Sequence, residues 1–223
     1  MLDQPSGQPA AKAYCEPTAW CSSQAAGRSD QSCNGAAAGL CGVRVLELGC
    51  GRGLVGLAAA SLGARVTLTD RPDALQGAHA TAAANAQAVA DGGGSLEVCP
   101  LDWEVVAKQP GKTVEHPAAE QLTGVRDNVA LASQPPRTLV LGADLVYSKQ
   151  QVRPLVCTVR KLLTGYGPGT HFVYAHQPRH EEVDAALAAE LDAAGLHVAR
   201  VQAHGELWLE HLPSLVVFVI KVL

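Results

Sequence analysis

The stretch Val45-Leu-Glu-Leu-Gly-Cys-Gly-Arg-Gly-Leu-Val-Gly56 decides the fold. Arg44–Leu48 is a short β-branched and apolar run that ends in glycines at 49, 51 and 53, and Leu54–Leu62 then reads as a helix. Those glycines let the chain turn tightly off a first strand and leave room for a ligand to lie directly on the backbone. Gly51, Gly53 and Gly56 also satisfy the dinucleotide spacing GxGxxG, a weak pattern by itself. Glu47 separates the two ligand classes. A pyrophosphate on a glycine turn and helix N-terminus is poorly served by a carboxylate two residues before the first glycine. A cationic ligand, with an ammonium or a sulfonium, is well served by it. Asp70 ends the next strand and is placed to accept hydrogen bonds from two ribose hydroxyls, a role common to both classes.

Outward from this loop, strands and helices alternate. Arg65–Thr69 alternates as a strand, and Pro72 opens a long alanine-rich helix at a position where its missing N–H costs nothing. The Gly92–Gly94 run ends that helix, and Leu96–Val98 begins a third strand. Thr138–Leu141, a helix near Gln150–Leu163, the strand His171–Ala175 and the helix Glu181–Ala194 follow. Val198–Val201 and Leu215–Val222 close the chain as two consecutive strands. The alternation predicts an α/β fold with a mostly parallel sheet covered by helices on both faces. The closing pair predicts an antiparallel hairpin at one edge. Seven strands so arranged outline a Rossmann-like class I methyltransferase sheet. Residues 1–42 are dense in Gly, Ser, Ala and Cys and read as an irregular segment before a domain over 43–223. Within that domain, the prolines and glycines of 104–136 read as a loop insertion.

Bulk properties narrow the function classes. The chain has 223 residues, 48% of them hydrophobic, enough apolar material for one compact core. Net charge is −4 and no Lys/Arg run stands out, which argues against a nucleic-acid binder and favours a protein or small-molecule partner. The longest apolar stretch, Leu215–Ile220, is strand-sized, so no membrane span is expected. The seven cysteines (15, 21, 33, 41, 50, 99 and 157) form no CxxC and no zinc spacing. They read as free thiols in a reducing compartment, with no metal site. Cytoplasmic residence is the expectation, although the Ala/Ser/Gly-rich residues 1–42 leave organellar targeting open.

The segment VLELGCGRGLVGLAAASLGARVTLTDR, with LDW at 101–103 and LVLGADLVY at 139–147, resembles the seven-strand protein-lysine methyltransferases of the methyltransferase-like group. The resemblance covers most of residues 43–200. It implies S-adenosylmethionine as cofactor, with Gly49, Cys50, Gly51, Asp70 and Ala143 in its pocket and Trp103 against the adenine. Glu47 and Gly53 join that set from the reading of the loop. Relatives carry a tryptophan segment upstream of the glycine loop, and Trp20 is the residue available for that role. Asp144-Leu-Val-Tyr147 matches the D-x-x-Y signature at the mouth of the acceptor pocket, which implies that Asp144 orients the acceptor nitrogen and Tyr147 shapes its pocket. His176, Arg179 and His180 follow the fifth strand and border this region, but a polar strand-end turn explains them equally well. They are not assigned to catalysis.

The expected activity is therefore S-adenosylmethionine-dependent N-methylation of a protein side chain, lysine foremost, by a monomer. A small-molecule methyltransferase shares the cofactor half. A non-catalytic binding module would keep the fold alone, and an NAD-dependent oxidoreductase is disfavoured by Glu47 and the closing hairpin.

Overall fold

The computed structural model describes residues 39–109, 138–201 and 215–222. Seven strands form one sheet: β1 (Arg44–Leu48), β2 (Arg65–Asp70), β3 (Ser95–Pro100), β4 (Thr138–Ala143), β5 (His171–His176), β6 (Leu196–Arg200) and β7 (Val216–Val222). Their order is β3-β2-β1-β4-β5-β7-β6. The first five run parallel, and β7 lies antiparallel to both β5 and β6. This is the expected seven-strand sheet with its reversed closing strand, the topology of the class I methyltransferases.

The period of two along each strand divides the core. Leu46 and Leu48 of β1, Val140 of β4, and Phe172 and Tyr174 of β5 are buried in one cluster. Leu155, Val159 and Leu162 of α4 (Lys149–Tyr166) join it, as do Leu187 and Leu191 of α5 (Glu181–Ala193). Val45, Val66 and Leu68 lie in the other cluster with Ala59, Ala60, Ala78 and Val89 from α1 (Leu54–Ser61) and α2 (Gln76–Asp91). The second layer is built largely from alanines, so α1 packs close to the sheet. Glu47 follows the same alternation and points at α1, where it is buried.

Two local expectations change. Pro72 opens a short 3-10 turn, Pro72–Ala74, and the α-helix begins only at Gln76. The stretch expected as a loop from 104 begins instead as helix α3 (Trp103–Lys108). Asp102 supplies its N-cap, accepting from the Glu104 N–H at 2.9 Å. Lys161 of α4 closes the far end, donating from Nζ to the Val106 and Gln109 carbonyls at 2.6 Å each. The remainder of 104–136 and most of 1–42, including Trp20, lie outside the described residues. Cys50 and Cys157 carry free thiols, whereas Cys41 is disulfide-bonded, so the reading of every cysteine as a free thiol fails there.

Candidate active site

β1 sits where the strand order reverses, with β2 on one side and β4 on the other. In an open α/β sheet the crevice beyond the carboxyl ends of such strands takes the ligand. A cavity of about 230 Å³ opens there. Gly49, Asp70, Trp103, Asp144 and Tyr147 all line it, bringing together residues from four segments spread over about 100 positions of sequence. Leu101, Asp102 and Leu145 complete much of the wall.

The turn after β1 is held from both sides. Gly49, Gly51 and Gly53 all have positive φ, the left-handed region that glycine enters without penalty. Asp70 braces this turn: its Oδ2 accepts from the Gly51 N–H at 2.8 Å and its Oδ1 from the Arg71 N–H at 2.8 Å. Each oxygen keeps a lone pair for a ligand hydroxyl. At Gly49 a side chain is excluded by contact as well as by conformation. A Cβ would lie 2.8 Å from Leu145 Cδ2 and 3.2 Å from the Trp103 ring.

Glu47 lies beneath the turn and does not line the cavity. One carboxylate oxygen accepts from the Gly56 N–H at 2.8 Å, anchoring the start of α1. Burial raises its pKa to about 7 despite that bond, and the nearby Asp70 charge adds to the rise. Cys50 packs in the small-residue layer, and burial, with Glu47 and Asp70 next in effect, pushes its thiol up to about 12. It is a packing residue with its proton retained. Cys50, Gly51, Gly53 and Ala143 form the turn and strand end beside the lining residues.

Asp144 follows β4 with φ of 55°, the only described non-glycine residue in the left-handed region. Its N–H donates to the Ala175 carbonyl at 2.9 Å. Both carboxylate oxygens are held by Arg179, whose Nη1 and Nη2 donate at 2.7 and 2.8 Å. Arg179 is thus brought onto the signature residue, which spacing along the chain could not show. Tyr147 is 64% exposed, so its ring is free to meet a ligand from solution. His176 is buried away from the mouth. His180 precedes α5 and lines a different depression, beside Lys149 and Glu182.

Several lining residues escaped the sequence reading. Asp102 had a readable signal, an N-cap aspartate before the apolar pair Val105 and Val106. Leu145, Gln151 and Pro154 had none, because only the fold of the turn after β4 aims them inward.

The lining fits S-adenosylmethionine. The Trp103 indole Nε1 is buried without a hydrogen-bond partner among the described residues, an orphan donor beside the cavity where a cofactor's polar edge would complete it. The glycine cradle leaves no room for a Cβ at 49. Acidic side chains (Asp70, Asp102, Glu104 and Asp144) outnumber the single lining cation, Arg71, which suits a ligand bearing an ammonium and a sulfonium.

Residues 19–117 match the family model described as lysine methyltransferase. A protein N-lysine methyltransferase, METTL21A of Danio rerio, is 34% identical over 124 residues, 56% of this chain and 46% of that protein. EEF1A lysine methyltransferase 3 of Mus musculus is 33% identical over 126 residues, 56% of this chain and 43% of that protein. The chain thus matches somewhat less than half the length of these curated relatives. Among solved structures, an S-adenosylmethionine-dependent methyltransferase from Aquifex aeolicus aligns at a TM-score of 0.49 and 14% identity, over 83% of this chain and 86% of that one. Over residues 19–117 the chain is therefore similar in sequence to the lysine methyltransferase family.

Proposed function

We propose that the chain is an S-adenosylmethionine-dependent N-methyltransferase whose acceptor is a protein side chain, lysine foremost. The observation that carries the reading is the convergence of Gly49, Asp70, Trp103, Asp144 and Tyr147 on one cavity at the strand-order reversal. When bound, S-adenosylmethionine supplies an electrophilic methyl carbon on a sulfonium. In this reading Asp70 holds the ribose hydroxyls, Trp103 lies against the adenine and donates its indole N–H to an acceptor on the ligand, and the bare Gly49 backbone lets the ligand approach. Glu47, Cys50, Gly51, Gly53 and Ala143 keep that cradle in shape, and Trp20 is the proposed contact from the N-terminal segment. Asp144 and Tyr147 serve the acceptor side. Asp144 orients the nitrogen or accepts a hydrogen bond from its proton, and Tyr147 forms a wall that excludes water. Alignment of this kind lowers a displacement barrier by several kcal/mol without any proton donor to the leaving group.

Sequence similarity to proteins named as lysine methyltransferases supports a protein acceptor over a small molecule. No described helix is long and apolar enough to cross a membrane, and no described cluster of His, Cys, Asp or Glu is disposed to hold a metal ion. A cytoplasmic monomer acting on a soluble protein is the working picture. A second reading, a binding module without turnover, draws on one observation: both Asp144 oxygens are already occupied by Arg179.

The test has two stages. Calorimetric titration with S-adenosylmethionine should show binding, and NADH should show none; the reverse pattern would overturn the assignment. A lysate incubated with methyl-labelled cofactor should then acquire label on protein. Asp144→Ala should lose that labelling while keeping cofactor affinity within about threefold, and near-normal labelling would remove Asp144 from the mechanism.

A further inference from the structure

Ser148 is the N-cap of α4, and Gln151 stands three residues further on, the place from which a side chain can reach back over the helix start. In a capping box that side chain accepts from the backbone N–H of the cap itself. Here it reaches one residue beyond. Gln151 Oε1 accepts from the Tyr147 N–H at 3.1 Å and from the Ser148 hydroxyl at 3.3 Å. A backbone N–H can only donate, so the orientation of the carboxamide is fixed: its oxygen serves the turn and its NH2 group is left over. Among the described residues Nε2 has no partner. A glutamate would cap the helix as well, so capping leaves both N–H donors unused.

Gln151 also lines the cavity, beside Asp144 and Tyr147. Most of the charged lining there accepts, through Asp70, Asp102, Glu104 and Asp144. The lining cation Arg71 follows Asp70 on the proposed ribose side, and the Trp103 indole is directed at the cofactor. Gln151 therefore adds a pair of uncharged donors on the acceptor side. The amine that receives the methyl group does not call for them. What a protein brings with that amine is a set of peptide carbonyls, and each of these needs a donor when it leaves water.

We propose that Gln151 is a specificity-determining residue of the acceptor side: through Oε1 it positions Tyr147, and through Nε2 it donates to a peptide carbonyl of the protein that carries the amine. The inference rests on the reading of the Asp144–Tyr147 turn as the acceptor side of a methyl-transfer site. A free small amine has no such carbonyl, so this contact favours a protein.

The experiment uses the full chain and two variants. Gln151→Glu keeps an oxygen for the Tyr147 N–H and removes both donors, whereas Gln151→Ala removes oxygen and donors together. Exchange of the Tyr147 amide, read in nitrogen-15 spectra, should match wild type in Gln151→Glu. In Gln151→Ala it should quicken at least about tenfold, with Val66 and Leu68 in β2 unchanged in both variants. Gln151→Glu should bind S-adenosylmethionine within about threefold of wild type. Its labelling of lysate protein from methyl-labelled cofactor should fall at least about tenfold, equally at pH 7 and pH 9. A carboxylate that slowed transfer by keeping the amine protonated would instead give a deficit that recovers at pH 9. Such recovery, or labelling within about threefold of wild type, overturns the donor role. Wild-type exchange at Tyr147 in Gln151→Ala overturns the positioning role. Wild-type protein that binds no S-adenosylmethionine and labels no protein would sink the methyl-transfer reading and the donor role with it, while the exchange comparison still decides the hold on Tyr147.

Discussion

At Glu47 a carboxylate is buried beneath a helix start and retains a single described backbone donor, the Gly56 N–H. Its pKa of about 7 in the folded chain lies above the ordinary 4.5, chiefly through burial. A group raised in this way favours folding fully below about pH 4.5, and that contribution is lost as pH rises through about 7. Glu47→Gln keeps an acceptor for Gly56 and removes the buried charge. It should leave the melting temperature nearly unchanged at pH 4.5 and raise it at pH 8, by an amount equivalent to roughly 1–3 kcal/mol. Melting curves of both proteins at the two pH values check this, and the comparison cancels Glu97, which burial also raises to about 7. Asp70 has the opposite character, with its two oxygens braced by backbone N–H groups yet facing the cavity. Asp70→Ala should weaken S-adenosylmethionine binding by about 10- to 100-fold, since it removes the proposed acceptor for two hydroxyls and loosens the turn at Gly51. Calorimetry reads the change directly.

At the scale of elements, the site is a meeting of four strand ends whose connections are short and individually braced. The turn between β1 and α1 is the most constrained of them. Gly49→Ala places a methyl group against Leu145 and Trp103 in a left-handed backbone conformation. The variant should lose about 1–3 kcal/mol of stability from conformation and contact together, and cofactor binding should fall beyond detection. Denaturant unfolding followed by titration separates the two losses. α3 shows how a six-residue helix holds its place. Asp102 caps its start, Lys161 gathers the carbonyls at its end, and Trp103 is thereby fixed over Gly49. Arg179 lies on the surface and spans two connections. Arg179→Ala should leave the melting temperature within error, and its effect should appear in protein labelling, where a changed rate would place the pair at the acceptor mouth.

Across the whole molecule, the sheet separates two unlike layers. One is filled by Leu, Val and aromatic side chains under α4 and α5, the other by alanines and small residues under α1 and α2. Stability therefore concentrates on the first side. Phe172, 1% exposed and stacked on Tyr174, bridges β4, β7 and α4 at the centre of that layer. Phe172→Ala should cost about 3–5 kcal/mol, measured as a lowered denaturant midpoint with an unchanged slope. The closing pair β6 and β7 completes the sheet beyond β5, and its reversed strand gives the molecule the seven-strand outline.

The alternation of short apolar runs with helical stretches, and the two consecutive strands at the end, were enough to specify a parallel sheet with a reversed edge. Each element carries its own period and its own stop signals, such as Gly49 after β1, Gly92–Gly94 after α2 and Gly195 before β6. Trp103 and Asp144 are named through the resemblance to the methyltransferase-like group, whereas the glycine loop and Asp70 could be named from sequence for a related reason: each sits at the carboxyl end of a strand or just beyond it, and that position is local information. What surrounds them is not. Glu47 looks like a ligand residue along the chain, but the pleat of β1 turns it toward α1 and away from the cavity. Arg179 lies 35 positions from Asp144 and His176 two from Tyr174. Only the side-by-side register of β4 and β5 brings the first pair together, and the alternation along β5 puts the second pair on one face of the sheet. Hydrogen-bond partners across strands depend on register and side-chain direction, which arise when the sheet closes.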